Sequence, residues 1–188
     1  MKSMTKRLLA ALLAVAALFA LVGCSKSDKA DAAPKDYTKI LHDARPDEDN
    51  EYYMIFSPGE DGKFTAQYGY SDSYDASQLD EEIRNMLLPL LNLEEDMYTD
   101  FAASVSGMMV QSYGIAIVKP AEGKQQAVSE ALDAYVQSQM QSMEHYLEDQ
   151  YQIAASSHIS TAPTGEVILV CCENPEAVMN AIKTALAA

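Results

Sequence analysis

Tryptophan is absent from this 188-residue chain, phenylalanine occurs four times, and histidine and cysteine three times each. With so little Phe and no Trp, the large side chains of a core must come from the eleven tyrosines, the ten methionines and the aliphatic residues. Of the cysteines, Cys171 and Cys172 are adjacent, so no spaced pairs exist from which to build a disulfide framework. The histidines, His42, His145 and His158, are scattered, and no Gly-x-Ser-x-Gly motif accompanies them. The chain therefore shows none of the usual nucleophile-and-base patterns of hydrolases. Basic residues are also scarce, 13 against 28 acids, for a net charge of −15. That balance excludes nucleic acid as a partner, because polyanion binding depends on Lys and Arg neutralising phosphates.

One long apolar run is present, at 8–22, behind the basic residues Lys2, Lys6 and Arg7. It is shorter than the roughly 20 residues a membrane-spanning helix needs. It closes on Leu21-Val22-Gly23-Cys24, with polar Ser25, Lys26, Ser27 and Asp28 directly after it. This order reads as a lipoprotein signal peptide with its lipobox, residues 1–24. Leu21, Val22 and Gly23 are expected to be recognised by the signal peptidase, and the Cys24 thiol to receive a covalent diacylglycerol. A plain secretory signal is the competing reading, since the Ala-rich stretch 14–20 offers alternative cleavage sites. Cleavage before Cys24 would remove Lys2, Lys6 and Arg7 and no acid, leaving a mature charge of −18. So acidic a body is poorly suited to lying flat on anionic lipid. The expected location is the extracytoplasmic face of a cell membrane, held by the lipid.

Residues 25–35, rich in Ser, Lys, Asp, Ala and Pro, have linker composition and a mean reach of roughly 18 Å. Beyond them the periodicities predict a short helix at 36–44 and a hairpin of strands at 52–57 and 63–70. A helix follows, opened by a Ser77–Asp80 capping pattern and ended by Pro89. Strands are expected at 101–106 and 114–118, then one long helix over 122–151 with Val128, Leu132, Tyr135, Val136, Met140, Met143 and Leu147 inward. Strands at 157–161 and 166–172 precede a last helix with Asn174 as N-cap and Pro175 at its first position. The order strand, strand, helix, strand, strand, helix predicts a single α+β domain. Its sheet should be antiparallel or mixed, with helices mainly on one face.

Several of these segments resemble a family of short bacterial lipoproteins that carry domain of unknown function 4358. The resemblance rests on the helix from Ser77, the strand 98–106 after Glu94-Glu95-Asp96, and the long helix ending in Tyr146-Leu147-Glu148-Asp149-Gln150-Tyr151. Gly165 ahead of the apolar run 167–170 and the final helix complete it. It covers 77–188 and leaves the Tyr-rich segment 36–76 as an N-terminal extension. What it implies is a cell-envelope lipoprotein, with no catalytic residue to carry over.

The residues themselves suggest a binding module more than a catalyst. Tyr52, Tyr68 and Tyr70 are the candidate binding face, since tyrosines present flat apolar rings with polar tips to a protein or glycan partner. Tyr68 and Tyr70 should share one strand face. Other leads are weaker. Cys171 and Cys172 end an apolar run, as buried strand residues do, although a vicinal pair also suits a redox enzyme. Glu144, His145 and Glu148 lack a ligand from a second segment. Met108-Met109 and the pair Met140 and Met143 suit soft copper as well as core filling. The acidic stretches at 47–51, 60–61 and 72–75 lack the spacing of a calcium loop. A small envelope hydrolase or redox enzyme and a metal-handling lipoprotein stand as alternatives. No catalytic residue, metal ligand or cofactor beyond the lipid is assigned.

Overall fold

The computed structural model describes residues 34–188, and 35–188 form one compact unit. Leu21, Val22, Gly23 and Cys24, with the whole leader and nearly all of the linker, lie outside the described residues.

Helices α1 (Tyr37–Ala44) and α2 (Asp47–Tyr52) open the unit. The Asp36 side chain accepts from the Lys39 amide and caps α1. Strands β1 (Ile55–Pro58) and β2 (Phe64–Gln67) form a hairpin, followed by a 3₁₀ turn at Gly69–Ser73. Helix α3 (Ala76–Glu82) runs through a π-helical turn, Ile83–Leu87, into the short α4 (Leu88–Leu90). Pro89 supplies the cause, because a residue without an amide hydrogen breaks the regular ladder and the Leu88 amide bonds back to the Ile83 carbonyl instead. Then come β3 (Tyr98–Val105), β4 (Gly114–Pro120), α5 (Gln125–Met143), α6 (Glu148–Ala155), β5 (His158–Thr161), β6 (Val167–Cys171) and α7 (Pro175–Ala187). Each of the three hairpins is thus followed by a helix.

The strands form a six-stranded sheet in the order β2-β1-β3-β4-β6-β5, antiparallel throughout. The molecule is a single α+β domain. In the central strands the pleat sends alternate residues to two separate cores. Phe101, Ala103, Ala116, Val118, Val167 and Leu169 pack under α3, α5 and α6. Ala102, Ile115, Ile117, Ile168 and Val170 pack with Tyr37 and Leu41 of α1 and Val178, Ile182 and Leu186 of α7. Helices therefore cover both faces, more of them on the first. Because β4 and β6 are buried on both sides, their sequences read as unbroken apolar runs.

Several boundaries differ from the periodicity. Strand β2 stops at Gln67, and Tyr68 turns to φ 66° instead of continuing the pleat. Acidic 47–52 is helix α2, not a break before a strand, since Asp47, Glu48 and Asp49 favour a first turn. Asp75 caps α3 through the Ser77 and Gln78 amides, leaving the Asp80 side chain to accept from the Phe64 amide across the hairpin. The long helix is two, broken at 144–147 so that α6 can fold Ala154 onto the first core. Asn174 precedes α7 in a left-handed conformation, φ 55°, without a side-chain cap.

Arg84 staples one end of the sheet. Its guanidinium lies 4.6 Å over the Phe64 ring, donates to the Gly62 carbonyl, and pairs with Asp80 and Glu95. At the other end of β4, Gly114 admits the fully buried Tyr135, whose hydroxyl donates to the Tyr113 carbonyl at 2.8 Å. A Cβ on Gly114 would stand 2.7 Å from that ring, which has nowhere to move. Replacement Gly114→Ala is expected to cost about 2 kcal/mol of stability by overpacking, read as a lower urea midpoint with an unchanged slope.

Candidate functional site

Between α1 and α2 the chain buries Arg45, at 5 % exposure, in the middle of a set of neutral acceptors. Nε donates to Asn50 Oδ1 at 2.6 Å. Nη1 donates to Ser104 Oγ at 2.7 Å and to the Tyr113 hydroxyl at 3.2 Å, and Nη2 to the Tyr53 carbonyl at 2.6 Å. No carboxylate among the described residues lies within ion-pair distance of it. The guanidinium is therefore held by hydrogen bonds to α2, β3 and the approaches to β1 and β4. Two tyrosines are fixed by this arrangement. The rings of Tyr53 and Tyr113 stack at 3.8 Å and 11°, and Tyr53 donates from its hydroxyl to Gln111 Oε1.

The stacked pair forms one wall of a cleft of about 240 Å³, lined also by Glu48, Asp49, Ser112, Gln150, Cys172 and Glu173. Burial raises the Asp49 carboxyl above its ordinary range, against the opposing pull of the Tyr113 hydroxyl and the Arg45 charge. Burial likewise raises Tyr113, and it raises Tyr53 with the help of the Asp49 charge, so both phenols stay protonated and available as donors. Ser112 is 3 % exposed. Its amide donates to Gln150 Oε1, while its Oγ has no hydrogen-bond partner among the described residues.

A second, more apolar groove of similar volume lies on the far side of Tyr53, lined by Tyr52, Tyr70, Tyr74, Val105, Gly107 and Met108. Tyr52 and Tyr70, each 58 % exposed, meet edge to face at 6.5 Å. Gly69 makes this possible. At φ 52°, a Cβ there would fall 2.6 Å from the Tyr53–Met54 backbone, so only glycine lets the 3₁₀ turn approach and place Tyr70 beside Tyr52.

Of the three candidate tyrosines, Tyr52 and Tyr70 come together and Tyr68 does not. Because β2 ends at Gln67, Tyr68 and Tyr70 share no strand face, and Tyr68 packs on the His42 ring at 4.2 Å. Tyr74 and Met108 take its place. Cys171 and Cys172 are buried as free thiols on opposite faces of the sheet, one in each core. Burial pushes them up to about 11 and about 12. His145 is exposed in the break between α5 and α6, so it shares no helix face with Glu148. Met143 is buried and Met140 packs against the first core, whereas Met108 and Met109 are exposed. Among the described residues no three His, Cys, Asp or Glu side chains gather as a metal site would need.

The family model for a domain of unknown function, DUF4358, matches residues 71–172. The chain belongs to this family, which runs here from the 3₁₀ turn through β6. No curated protein and no solved structure matches the chain. Gln111, Ser112, Tyr113 and Gln150 of the cleft fall inside the matched span, while Arg45, Asp49, Tyr53 and Glu173 come from its flanks.

Thiol labelling checks the interior placement of the cysteine pair. In a Cys24→Ser protein at mildly alkaline pH, Cys171 and Cys172 are expected to react only after unfolding, since the protonated, buried thiol is inert. Rapid labelling of both in the native state would contradict that placement.

Proposed function

We propose that this chain is a lipid-anchored, non-enzymatic binding module on the extracytoplasmic face of a bacterial membrane. In this reading the groove between Tyr52, Tyr70, Tyr74 and Met108 receives a protein partner of the cell envelope. The anchor rests on the residue order of 1–24, with covalent diacylglycerol on Cys24 and recognition of Leu21, Val22 and Gly23 by the peptidase. Two or three acyl chains on one cysteine would hold durably, where a single chain binds only marginally.

The observation that carries the binding reading is the exposed tyrosine and methionine groove itself. Exposed Tyr and Met are what protein interfaces enrich. Flexible Met108 and Met109 can adapt to an apolar side chain of a partner. A protein is favoured over a glycan because Tyr52 and Tyr70 meet at 62°, which makes a notch and not the flat platform a sugar ring stacks on. The redox alternative gains nothing from thiols buried on opposite faces of the sheet. The metal-handling alternative gains nothing from a His145 parted from the Glu148 helix.

Two experiments test the two halves. Replacing Cys24 by Ser is expected to move the protein from the membrane pellet to the soluble fraction and to abolish incorporation of labelled fatty acid. Unchanged sedimentation and processing would remove the anchor. The double replacement Tyr52→Ala and Tyr70→Ala is expected to lower capture of the envelope partner about ten-fold or more, by analogy with aromatic hot spots, without lowering the thermal midpoint. A drop in stability that matches the drop in capture would make those rings packing residues.

A further inference from the structure

Apart from the anchor and the tyrosine groove, one edge of the sheet stands open. The turn that ends β5 fixes which of its backbone groups face inward. The Ala162 amide donates to the Glu166 carbonyl and the Gly165 amide to the Ala162 carbonyl, so Ala162 and Glu166 sit at a hydrogen-bonded position of the ladder. Bonded and non-bonded pairs alternate in an antiparallel ladder. By the register, Ser160 with Ile168 and His158 with Val170 are therefore bonded pairs. Ile159 and Thr161, opposite Leu169 and Val167, turn their N–H and C=O groups out of the sheet. Strand β5 is last in the strand order, and these outward groups have no hydrogen-bond partner among the described residues. The opposite edge differs. There Phe64 of β2, next to the bonded Gly59 and Lys63, gives its outward amide to Asp80 Oδ1 at 2.7 Å. Nothing blunts β5 in that way, and His158-Ile159-Ser160-Thr161 holds no Lys and no Pro.

The pleat places a receiving surface beside the same two residues. Ile159 and Thr161 share one face of the strand, the face on which Ile159 packs against the first core and α5 lies. Two open grooves run there between β5 and the polar side of α5. One, about 650 Å³, is lined by Ile159 with Glu130, Asp133 and Gln137, and the other, about 520 Å³, by Thr161 with Gln125. Gln126 and Ser129 line both, so the grooves adjoin, and no Lys or Arg lines either. The residues with free backbone groups are thus the strand residues that line the grooves. An occupant that satisfies both is an extended segment, since a strand presents N–H and C=O groups at the spacing of Ile159 and Thr161 and sends every second side chain over the groove. Glu130 and Asp133 are exposed and lie in no ion pair among the described residues. They select a cation for the side chain above them. A second copy of this chain has none to offer from its own β5 and carries the same net charge of −15.

We propose that the outer edge of β5, with the polar face of α5, is a docking site for an extended basic segment of another protein. The segment adds antiparallel to β5, as every other strand of the sheet pairs, and lays a Lys or Arg over Glu130 and Asp133. The free groups of Ile159 and Thr161 hold its backbone, and the two acids choose its side chain. The site stands whether or not the chain is lipidated and whether or not the tyrosine groove binds a protein.

A backbone NMR titration of the full chain with acetyl-Val-Lys-Val-Lys-Val-amide, at constant ionic strength, tests it. The two lysines, two positions apart, stand opposite Ile159 and Thr161 in the antiparallel register. Saturable shifts are expected at the Ile159 and Thr161 amides, and their hydrogen exchange, faster than that of Ser160 in the free protein, should slow on binding. Methylating the backbone nitrogens of both lysines should abolish these effects. Thr161→Pro removes an outward donor and no bond between β5 and β6, and it should weaken the peptide about ten-fold. Asp133→Lys should weaken it several-fold, whereas Glu81→Lys, an equal change of charge on α3, should leave it unaltered. Absence of shifts with the lysine peptide would overturn the proposal. Equal binding of the methylated peptide would mean charge attraction without strand pairing and also overturn it, as would equal binding of acetyl-Val-Glu-Val-Glu-Val-amide. An effect of Glu81→Lys as large as that of Asp133→Lys would do the same. Slowed exchange at Ile159 and Thr161 that grows with protein concentration, alongside sedimentation as a dimer, would assign the edge to a second copy and reject the basic segment. Should Thr161→Pro lower the urea midpoint, the methylated peptide decides on the unaltered chain.

Discussion

Burial of one guanidinium without a carboxylate beside it is the constraint around which this molecule is arranged. Taking a charge out of water is expensive, and Arg45 is compensated by four hydrogen bonds from its guanidinium together with the nearby Asp49 charge. Those bonds come from α2, from β3, and from the two tyrosines that precede β1 and β4. If any one of these segments shifts, a buried donor loses its partner at a cost of about 1–3 kcal/mol or more. The N-terminal segment is thereby locked to β3 and β4, which lie inside the span matched by the family model. The Tyr53–Tyr113 stack, which separates the acidic cleft from the tyrosine groove, is held in place by the same bonds. Stability and site geometry thus depend on one side chain.

The sheet explains why the rest of the chain can be so acidic and still fold. Its two central strands are apolar on both faces, and each face is closed by helices, so the core is built from Ile, Val, Leu and Ala without tryptophan. Nearly all of the described acids lie on helix surfaces and in loops, where solvent screens their repulsion, and buried Glu166 is the exception, accepting from the Tyr37 hydroxyl. Only two arginines follow the leader region, Arg45 and Arg84, and both are consumed by structure, one inside and one stapling Phe64. The remaining cations are lysines, which suit the surface because their compact, strongly hydrated heads stay in water.

The three hairpins and their following helices were legible in the sequence because local signals agreed there. Pro58 and Gly59 between apolar runs, and Pro175 ahead of Val178, Ile182 and Leu186, mark turn, start and buried stripe together. Where tertiary contacts decided, the pattern misled. Nothing in alternate tyrosines reveals that Gly69 will press against the Tyr53–Met54 backbone and end β2 early, yet that contact moves Tyr70 from Tyr68 to Tyr52. The stripe through Met140, Met143 and Leu147 has helical spacing right across the break at 144–147. The cleft was invisible for a different reason. Its residues come from positions 46 to 174, and Ser112 and Gln150 carry no motif. The one available signal was Arg45 itself, a lone arginine ahead of the acidic stretch 47–51, where a surface charge would more often be lysine.

Two compartments with one shared wall have a consequence for what each can recognise. Tyr53 lines both the cleft and the groove, and its hydroxyl is bound to Gln111 while its ring is held by Tyr113. A ligand that pressed on one side of that ring could be felt on the other only if the stack moved, and the stack is tied to the buried guanidinium through the Tyr53 carbonyl and the Tyr113 hydroxyl. Packed interiors resist gradual deformation. The two sites should therefore behave as rigid neighbours, each contributing its own contacts and neither opening the other.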